Sequence, residues 1–446
     1  MTPGRLAARD VAVTGLGENV GRWARSLAVD ISPLRDSVAF RALWGGQIIS
    51  RIGTQMRLVA VPFQVFQITE SPAAVGLIGL AEVVPTIAFS IVGGALVDAM
   101  DRRRLMALCQ LALLLNSAAL ALLSLSDEPR LVWIYALVAM GGAVTAVDQP
   151  ARNAMSPTLV RPDQIPAAMA LRQVVQQVTL VVGPAVGGLL IAAYNGVTTL
   201  YIIDAATFLA GLVALRWLPG GRPAPSESTA EGRITFGAIR EGLSYAFRTP
   251  VILGIFVVDF VAMVFGMPRA VFPALAETTF DAGATALGLL YAAPSAGALV
   301  AALTTGWVGR LHRPGRAILI SAACWGAAIT LAGLSLFSFV LTLFWLAVAG
   351  AADVISAVFR ATLLVEVTPD SLLGRVSALN LMVVSSGPRL GDVEAGLVAE
   401  VIGVGPSIVL GGAVCVAGTS VVAAGFPSLR AHRARSGAQA DQAPSL

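Results

Sequence analysis

The chain has 446 residues, of which 56% are hydrophobic and only 13% charged, and its formal net charge is +4. This composition excludes an ordinary soluble domain and is typical of a protein that crosses a membrane many times. All 30 basic residues are arginine, which excludes Schiff-base chemistry and the P-loop lysine of an ATP-driven pump.

The residues that most often carry catalysis or bind metals are scarce and scattered. There are two histidines, both in polar segments, and the three cysteines fall singly in three separate apolar runs. Buried single cysteines usually act as small apolar residues. We therefore expect no enzyme, no metal site and no cofactor, and the modest net charge gives no reason to expect nucleic acid as a partner.

Apolar runs long enough to cross a bilayer as helices recur along the whole chain. We predict twelve transmembrane helices, an all-α integral membrane protein, with spans at about 41–66, 73–97, 104–125, 131–155, 167–193, 198–218, 250–273, 284–309, 316–337, 340–366, 375–402 and 405–427. The lipid bilayer is thus the first predicted partner.

Arginines are concentrated in alternate connections between these spans. Arg102 to Arg104 and Arg430 fall on one side, whereas Asp127 and Glu128 fall on the other. The positive-inside rule then places both termini in the cytoplasm. We expect a multi-pass protein of the bacterial cytoplasmic (inner) membrane.

The longest interior connection divides the spans six and six. It contains a flexible Pro/Gly/Ser-rich stretch and then an amphipathic pattern typical of a helix on a membrane surface. The predicted organisation is a cytoplasmic N-terminal segment (1–37), a first six-helix half (38–218), a cytoplasmic linker with an amphipathic helix (219–249), a second half (250–427) and a cytoplasmic tail (428–446).

The two halves repeat each other in sequence. At an offset of 212 residues the second and eighth spans align, and GPAVGG in the fifth span recurs 204 residues later as GPRLGD in the eleventh. Repeated glycines let helices pack closely, and duplicated halves are a common design of secondary transporters. The predicted packing element consists of Gly183, Pro184, Gly187 and Gly188, and of Gly387, Pro388 and Gly391.

Several motifs resemble the major facilitator superfamily. GALVDAMDRRR (94–104) is similar to the family's G-x-L-x-D-R-x-G-R-R/K element, with departures at Ala99 and Asp101, and GPAVGG resembles the Gly-Pro element of drug/proton antiporters. SPAAVGLIGLAEVVP (71–85) and VDQPARNAMSPTLV (147–160) resemble the enterobactin-exporter-like branch, which also holds natural-product efflux proteins. The resemblance implies two six-helix halves around a central cavity, a small-molecule substrate and a monomer.

Two sets of charged residues are predicted to act as gates near the cytoplasmic surface. The first is a latch at the end of the second span, formed by Gly94, Asp98, Arg102 and Arg103. The second is Asp148 and Arg152, four residues apart on one helical face. This pair is either a structural intrahelical pair or a gate that Arg360 mirrors in the second half.

Other ionisable residues lie at membrane depth, where such groups usually face a cavity or one another. Glu82 has no opposite charge within a turn, and Asp259 and Asp353 are central in their spans. Each of these acids could carry a proton or meet a cationic substrate. Arg57 requires a carboxylate or an anionic ligand to neutralise it.

Arg389 and Asp392 lie three residues apart in the second Gly-Pro copy, whereas the first copy is uncharged. They could neutralise each other and brace the helix, or line the translocation path. The sequence leaves both possibilities open.

The predicted function is secondary active export of an amphipathic antibiotic, natural product or drug, by proton antiport with alternating access. A siderophore exporter of the enterobactin-exporter type is the alternative. A non-transporting membrane sensor or scaffold is the alternative of another class. In the favoured prediction the proton gradient supplies the energy, and no cofactor is needed.

Overall fold

The structure is a computed structural model that describes residues 30–194, 196–220, 236–304, 311 and 313–432. Of residues 91, 92, 95, 98 and 236–240 only the backbone is described. Within these ranges the regular secondary structure is entirely helical.

The described part of the chain contains twelve helices of at least 16 residues. In chain order they are α1 (Val38–Thr69), α2 (Pro72–Ala99), α3 (Arg102–Ser124), α4 (Leu131–Met155), α5 (Ile165–Tyr194), α6 (Thr198–Ala214), α7 (Pro250–Phe265), α8 (Gly283–Thr304), α9 (Pro314–Leu334), α10 (Phe339–Val367), α11 (Asp370–Ile402) and α12 (Val404–Gly425). Each predicted span overlaps one of them, so the all-α membrane fold is confirmed. Shorter helices cover Ser32–Asp36, Phe236–Arg248 and Pro427–Ala431.

Ten segments of the described chain are long and apolar enough to cross a membrane by length and composition. The two long helices outside this set are α1 and α11, of 32 and 33 residues. Both carry charged and amide side chains that line the interior of the bundle. Their low hydropathy therefore reflects what they enclose.

The seventh span is broken, whereas the sequence predicted a continuous helix to about residue 273. α7 ends at Phe265, and after a non-helical stretch the chain continues as a 3-10 turn at Arg269–Val271. Pro268 explains the break, because proline cannot donate a backbone hydrogen bond and disfavours helix in the residue before it. The indole Nε1 of Trp325 donates to the freed carbonyl of Gly266 at 2.7 Å, which satisfies a polar group that lipid could not.

One end of the bundle gathers the arginine-rich connections, and we call it the arginine-rich end. There Arg161 pairs with Asp36 at 3.1 Å, and Arg375 pairs with Glu241 of the linker helix Phe236–Arg248 at 2.6 Å. The other end, with the α1–α2 and α3–α4 connections, is called the opposite end. The charge pattern of the sequence thus corresponds to two real faces of the bundle.

Helices α1–α6 pack mainly among themselves, as do α7–α12, and two seams join these halves. One seam is α5 against α8, where Gly188 meets Gly288. The other is α2 against α11, where a Cβ built on Gly396 would lie 3.1 Å from the Cα of Gly76. Small residues let the two backbones approach closely at both seams.

The repeated Gly-Pro element occupies equivalent places in the two halves. Gly183 and Gly187 pack on α1 at Gln55 and Met56, and Gly387 and Gly391 pack on α7 around Met263. The glycine of α11 at the seam with α2 is Gly396, however. At the aligned position of Gly188 the eleventh helix has Asp392, whose backbone carbonyl faces Gly76.

We predict that Gly288→Ala destabilises the protein relative to Gly45→Ala. A Cβ at Gly288 would lie 2.6 Å from the carbonyl oxygen of Pro184, whereas one at Gly45 meets nothing within 4 Å. Both substitutions gain the same helix propensity, so the difference isolates overpacking of about 1–3 kcal/mol. Thermal unfolding in detergent should show a midpoint several degrees lower for Gly288→Ala, and equal midpoints would contradict the seam.

Candidate functional site

A cavity of about 400 Å³ lies between the two halves. Its walls come from α1, α2, α3 and α4 of the first half, and from the break after α7, α8 and α11 of the second. The seam between α2 and α11 forms part of the wall nearer the opposite end. We call this space the central cavity.

The central cavity is lined by more basic than acidic side chains. Its five arginines are Arg51, Arg57, Arg152, Arg269 and Arg389, and its three carboxylates are Glu82, Asp148 and Asp392. The amides of Gln47, Gln55 and Gln149 add hydrogen-bonding groups. The wall is therefore suited to a polar or anionic molecule rather than to a purely apolar one.

Arg57 has the neutralising partner that its depth requires. Its guanidinium lies 3.5 Å from the carboxylate of Asp204 on α6, which is 0% exposed. Ser117 donates a 2.7 Å hydrogen bond to the same carboxylate. Arg57 thus lines the cavity while tying α1 to α6 and α3.

Asp148 and Arg152 form an intrahelical pair, with Nε of Arg152 at 2.5 Å from Oδ2 of Asp148. Both line the central cavity toward the arginine-rich end. Arg51 of α1 lies beside them and donates to the amide oxygen of Gln149 at 3.2 Å. One carboxylate therefore stands between two arginines, which leaves a net positive charge on this wall.

The sequence shows no opposite charge within a helical turn of Glu82, but the structure gives this residue a partner on another helix. Nη2 of Arg389 on α11 lies 2.6 Å from its carboxylate, across the α2–α11 seam. The proximity of Arg389 to Asp392 in sequence was misleading, because Arg389 reaches the other half and uses its second nitrogen on the carbonyl of Ser385. Sequence periodicity describes one helix face, and it carries no information about a partner 307 residues away.

Asp392 faces the central cavity, as does Arg389, so both residues line this space. Asp392 lies beside Arg269 and the backbone of Ala270 in the broken segment. Its Oδ1 has no hydrogen-bond partner among the described atoms.

Arg269 is a cavity residue that sequence reasoning missed. It lies in the first turn after the break, and the hydroxyl of Tyr291 donates to its carbonyl at 3.3 Å. Its side chain lines the central cavity and also a smaller one. A Gly-x-Pro sequence followed by arginine inside an apolar run was the signal that could have found it.

Asp259, Asp353 and Arg360 form one cluster within the second half. Arg360 lies 2.8 Å from Asp259 and 3.6 Å from Asp353, and Ser356 accepts a hydrogen bond from it at 3.0 Å. Asp259 is 0% exposed, whereas Asp353 borders a side cavity of about 180 Å³ walled by Trp325 and Phe272. Two carboxylates therefore share one arginine here.

The two halves place different charged residues around an arginine that both retain. At an offset of 208 residues, Arg51 corresponds to Asp259, Asp148 to Ser356 and Arg152 to Arg360. The first half places one acid between two arginines, and the second places one arginine between two acids. The arginine of α4 is thus retained in α10, whereas the arginine of α1 is replaced by an acid in α7.

The predicted latch at the end of α2 makes its described contacts within the first half. Arg102 donates to the carbonyl of Ala154 at the end of α4, at 3.1 Å. Gly93 rather than Gly94 is the glycine in close contact, since no described atom lies within 4 Å of a Cβ at Gly94. Arg103 is partly exposed beside Arg102, and the side chain of Asp98 lies outside the described part of the structure.

Comparison with known proteins identifies the family. Residues 28–445 match the transmembrane secretion effector family of major facilitator transporters. The chain belongs to this family. Its family and fold are those of transporters and not of an enzyme.

Curated relatives narrow the similarity within this transporter family. The chain is 30% identical over 355 residues to the enterobactin exporter EntS of Escherichia coli O1:K1 / APEC, covering 80% of this chain and 84% of EntS. The enterobactin exporter EntS of Shigella boydii serotype 18 matches to the same extent.

Solved structures support the transporter fold. A bacterial homologue of the human lysosomal transporter Spinster, in an inward-facing and unoccupied conformation, matches with a TM-score of 0.69 and 16% identity over 88% of this chain and 98% of that one. The nucleoside transporter NupG matches with a TM-score of 0.65 and 13% identity over 88% and 99% of the two chains. At these identities the likeness concerns the fold alone.

We predict that Asp204→Ala strongly destabilises this transporter, whereas Arg161→Ala does not. The first change leaves Arg57 without its carboxylate inside the bundle, which costs about 3–5 kcal/mol. The second removes a pair whose side chains are 67% and 48% exposed, and such pairs contribute about 0–1 kcal/mol. Thermal unfolding of the two purified variants checks this, and similar midpoints would contradict a structural role for the Arg57–Asp204 pair.

Proposed function

We propose that the protein exports an anionic, hydrogen-bonding small molecule of the siderophore type through the central cavity. The observation that carries the proposal is the five arginines of its wall, set against three carboxylates in the wall and Asp204 behind Arg57. Similarity to enterobactin exporters supports the same choice. Transport would follow alternating access, in which the halves rock about a site near the midplane.

The arginine-rich end is proposed to face the cytoplasm of a bacterial cell, with both termini on that side. The contacts between the halves described above lie toward the opposite end, at the two seams. This arrangement corresponds to a cavity closed to the outside. The transporter is proposed to work as a monomer, since helices of both halves of this chain line the central cavity.

Coupling to the proton gradient is the proposed energy source. Glu82 and Asp353 are the candidate acids, because each borders a cavity and shares or depends on a single arginine. A carboxylate at membrane depth that loses its counter-charge is far more stable when it is protonated. When such an arginine moves away, the carboxylate would bind a proton, and when the arginine returns, the carboxylate would release it.

Efflux of amphipathic drugs is the second candidate function. The side cavity favours it, because Trp325, Phe272 and Ile329 provide an apolar aromatic wall next to Asp353. A cationic or neutral amphipathic drug would fit there better than an anion.

We predict that inside-out vesicles containing this protein accumulate enterobactin when their lumen is acidic, and accumulate cationic dyes such as ethidium less. Accumulation should collapse with a protonophore, since the gradient drives it. Neutralising the coupling acid, by Glu82→Gln or Asp353→Asn, should abolish uphill accumulation while leaving downhill exchange intact.

Vesicles without the protein and vesicles with the surface variant Arg161→Gln serve as controls. Preferential accumulation of ethidium would favour drug efflux. Gradient-driven accumulation that persists in both acid variants would refute these two coupling sites.

A further inference from the structure

The Glu82–Arg389 pair lies both at the seam between the halves and in the wall of the central cavity. It joins α2 of the first half to α11 of the second at 2.6 Å, and both side chains also line the central cavity, with exposed fractions of 33% and 27%. The paired cavity arginines Arg57 and Arg152 have their carboxylates within their own half. A molecule in the central cavity can therefore reach a contact that holds the halves together.

The rest of the α2–α11 seam offers little that would resist separation once this pair opens. Toward the opposite end, Ser71 donates to Glu400 at 2.7 Å, and the first turn of α2 also faces that carboxylate. Between these points the seam is mostly glycine against backbone, at Gly76, Gly79 and Gly396. Such contacts provide close approach without large interlocking side chains.

We propose that Arg389 is shared between Glu82 and an anionic group of the transported molecule, so that substrate binding and closure of the seam compete for one guanidinium. This inference rests on the proposed function of the central cavity. With substrate on Arg389, Glu82 loses its counter-charge and the α2–α11 seam opens toward the opposite end.

The same change of partner at Arg389 accounts for the binding and release of a proton by Glu82. Glu82, separated from Arg389, takes up one proton from the side to which the cavity has opened, and the substrate leaves to that side. When the seam closes again, Arg389 stabilises the ionised carboxylate, and the proton leaves through the arginine-rich end. One proton enters for each substrate molecule exported.

The surroundings of Glu82 are consistent with this exchange. Arg389 and Asp392 face it from α11, Arg57 lines the same cavity from α1, and Arg269 does so from the broken seventh span. The neighbouring helix α4 presents Gly142, against whose position the Glu82 side chain packs. Arg57 is bound to Asp204, so Arg389 is the cation in contact with Glu82.

The test measures opening at the opposite end by spin-label distances in lipid nanodiscs. The labels are placed at Glu128→Cys and Phe337→Cys, exposed positions in connections of different halves, after Cys109, Cys324 and Cys415 are replaced by alanine. In the wild-type background the population with the longer distance should rise as the pH falls from 8 to 5. In Glu82→Gln it should be at least about threefold larger than in wild type at pH 8. It should also change less with pH than in wild type, since Glu400 and Asp392 remain near the seam.

The matched control is Arg161→Gln, which removes an ion pair within the first half and should leave the distances unchanged. The exchanged pair Glu82→Arg with Arg389→Glu should restore the closed population, because it rebuilds the contact. A closed distance that ignores both pH and Glu82→Gln, or an exchanged pair that stays open although it is folded, overturns the proposal.

Addition of enterobactin to the labelled wild type tests the substrate side. If vesicles transport enterobactin but the label distances do not respond to it, Arg389 is not shared with the substrate. If vesicles do not transport it, the proposed substrate is wrong. The pH and variant measurements still test whether the Glu82–Arg389 contact controls opening of the seam, because they are made without substrate.

Discussion

A guanidinium remains charged at membrane depth, and this constraint ties the bundle together. Arg57 binds α1 to α6 through Asp204, Arg360 binds α10 to α7 through Asp259, and Arg389 binds α11 to α2 through Glu82. The first two links stabilise one half each, and only the third of these crosses between halves. The positions of the arginines thus distinguish contacts inside each half from a contact between the halves.

The twelve spans, the charged faces of the bundle and the duplicated Gly-Pro element could all be predicted from local features. Apolar length, arginine distribution and glycine spacing are properties of short segments, and each has a direct structural consequence. The break after α7 was missed because its apolar composition hid the effect of Pro268. An apolar composition indicates that a segment is buried, but it does not show where the helix ends. Here the end of the helix depends on one residue, Pro268.

The candidate site was predictable as a set of residues but not as a set of pairs. Of the predicted path residues, Glu82, Arg57, Arg389 and Asp392 line the central cavity, whereas Asp353 borders the side cavity and Asp259 is buried beside Arg360. The predicted gate residues Asp148 and Arg152 also line the central cavity. The Asp148–Arg152 pair lies within one helix turn, so its spacing was enough to suggest it. The partners of Glu82 and Arg57 lie on helices that are far apart in sequence. The periodicity of a single helix could not reveal them.

The two halves show how a duplicated protein becomes asymmetric. Both keep an arginine in corresponding helices, Arg152 on α4 and Arg360 on α10, while its acidic partner lies on α4 in the first half and on α7 and α10 in the second. Each of these arginines has a carboxylate within its own half. The first half therefore adds arginine to the wall of the central cavity, whereas the second groups two carboxylates around one arginine.

The seams are built largely from backbone atoms and glycine, and this affects how the protein can evolve. A joint between backbones places requirements on a few small residues and almost none on the side chains around it. Cavity positions other than the Glu82–Arg389 pair are then free to change without disturbing the contacts between the halves. Lineages that share this architecture can acquire new cargo by altering the cavity wall alone.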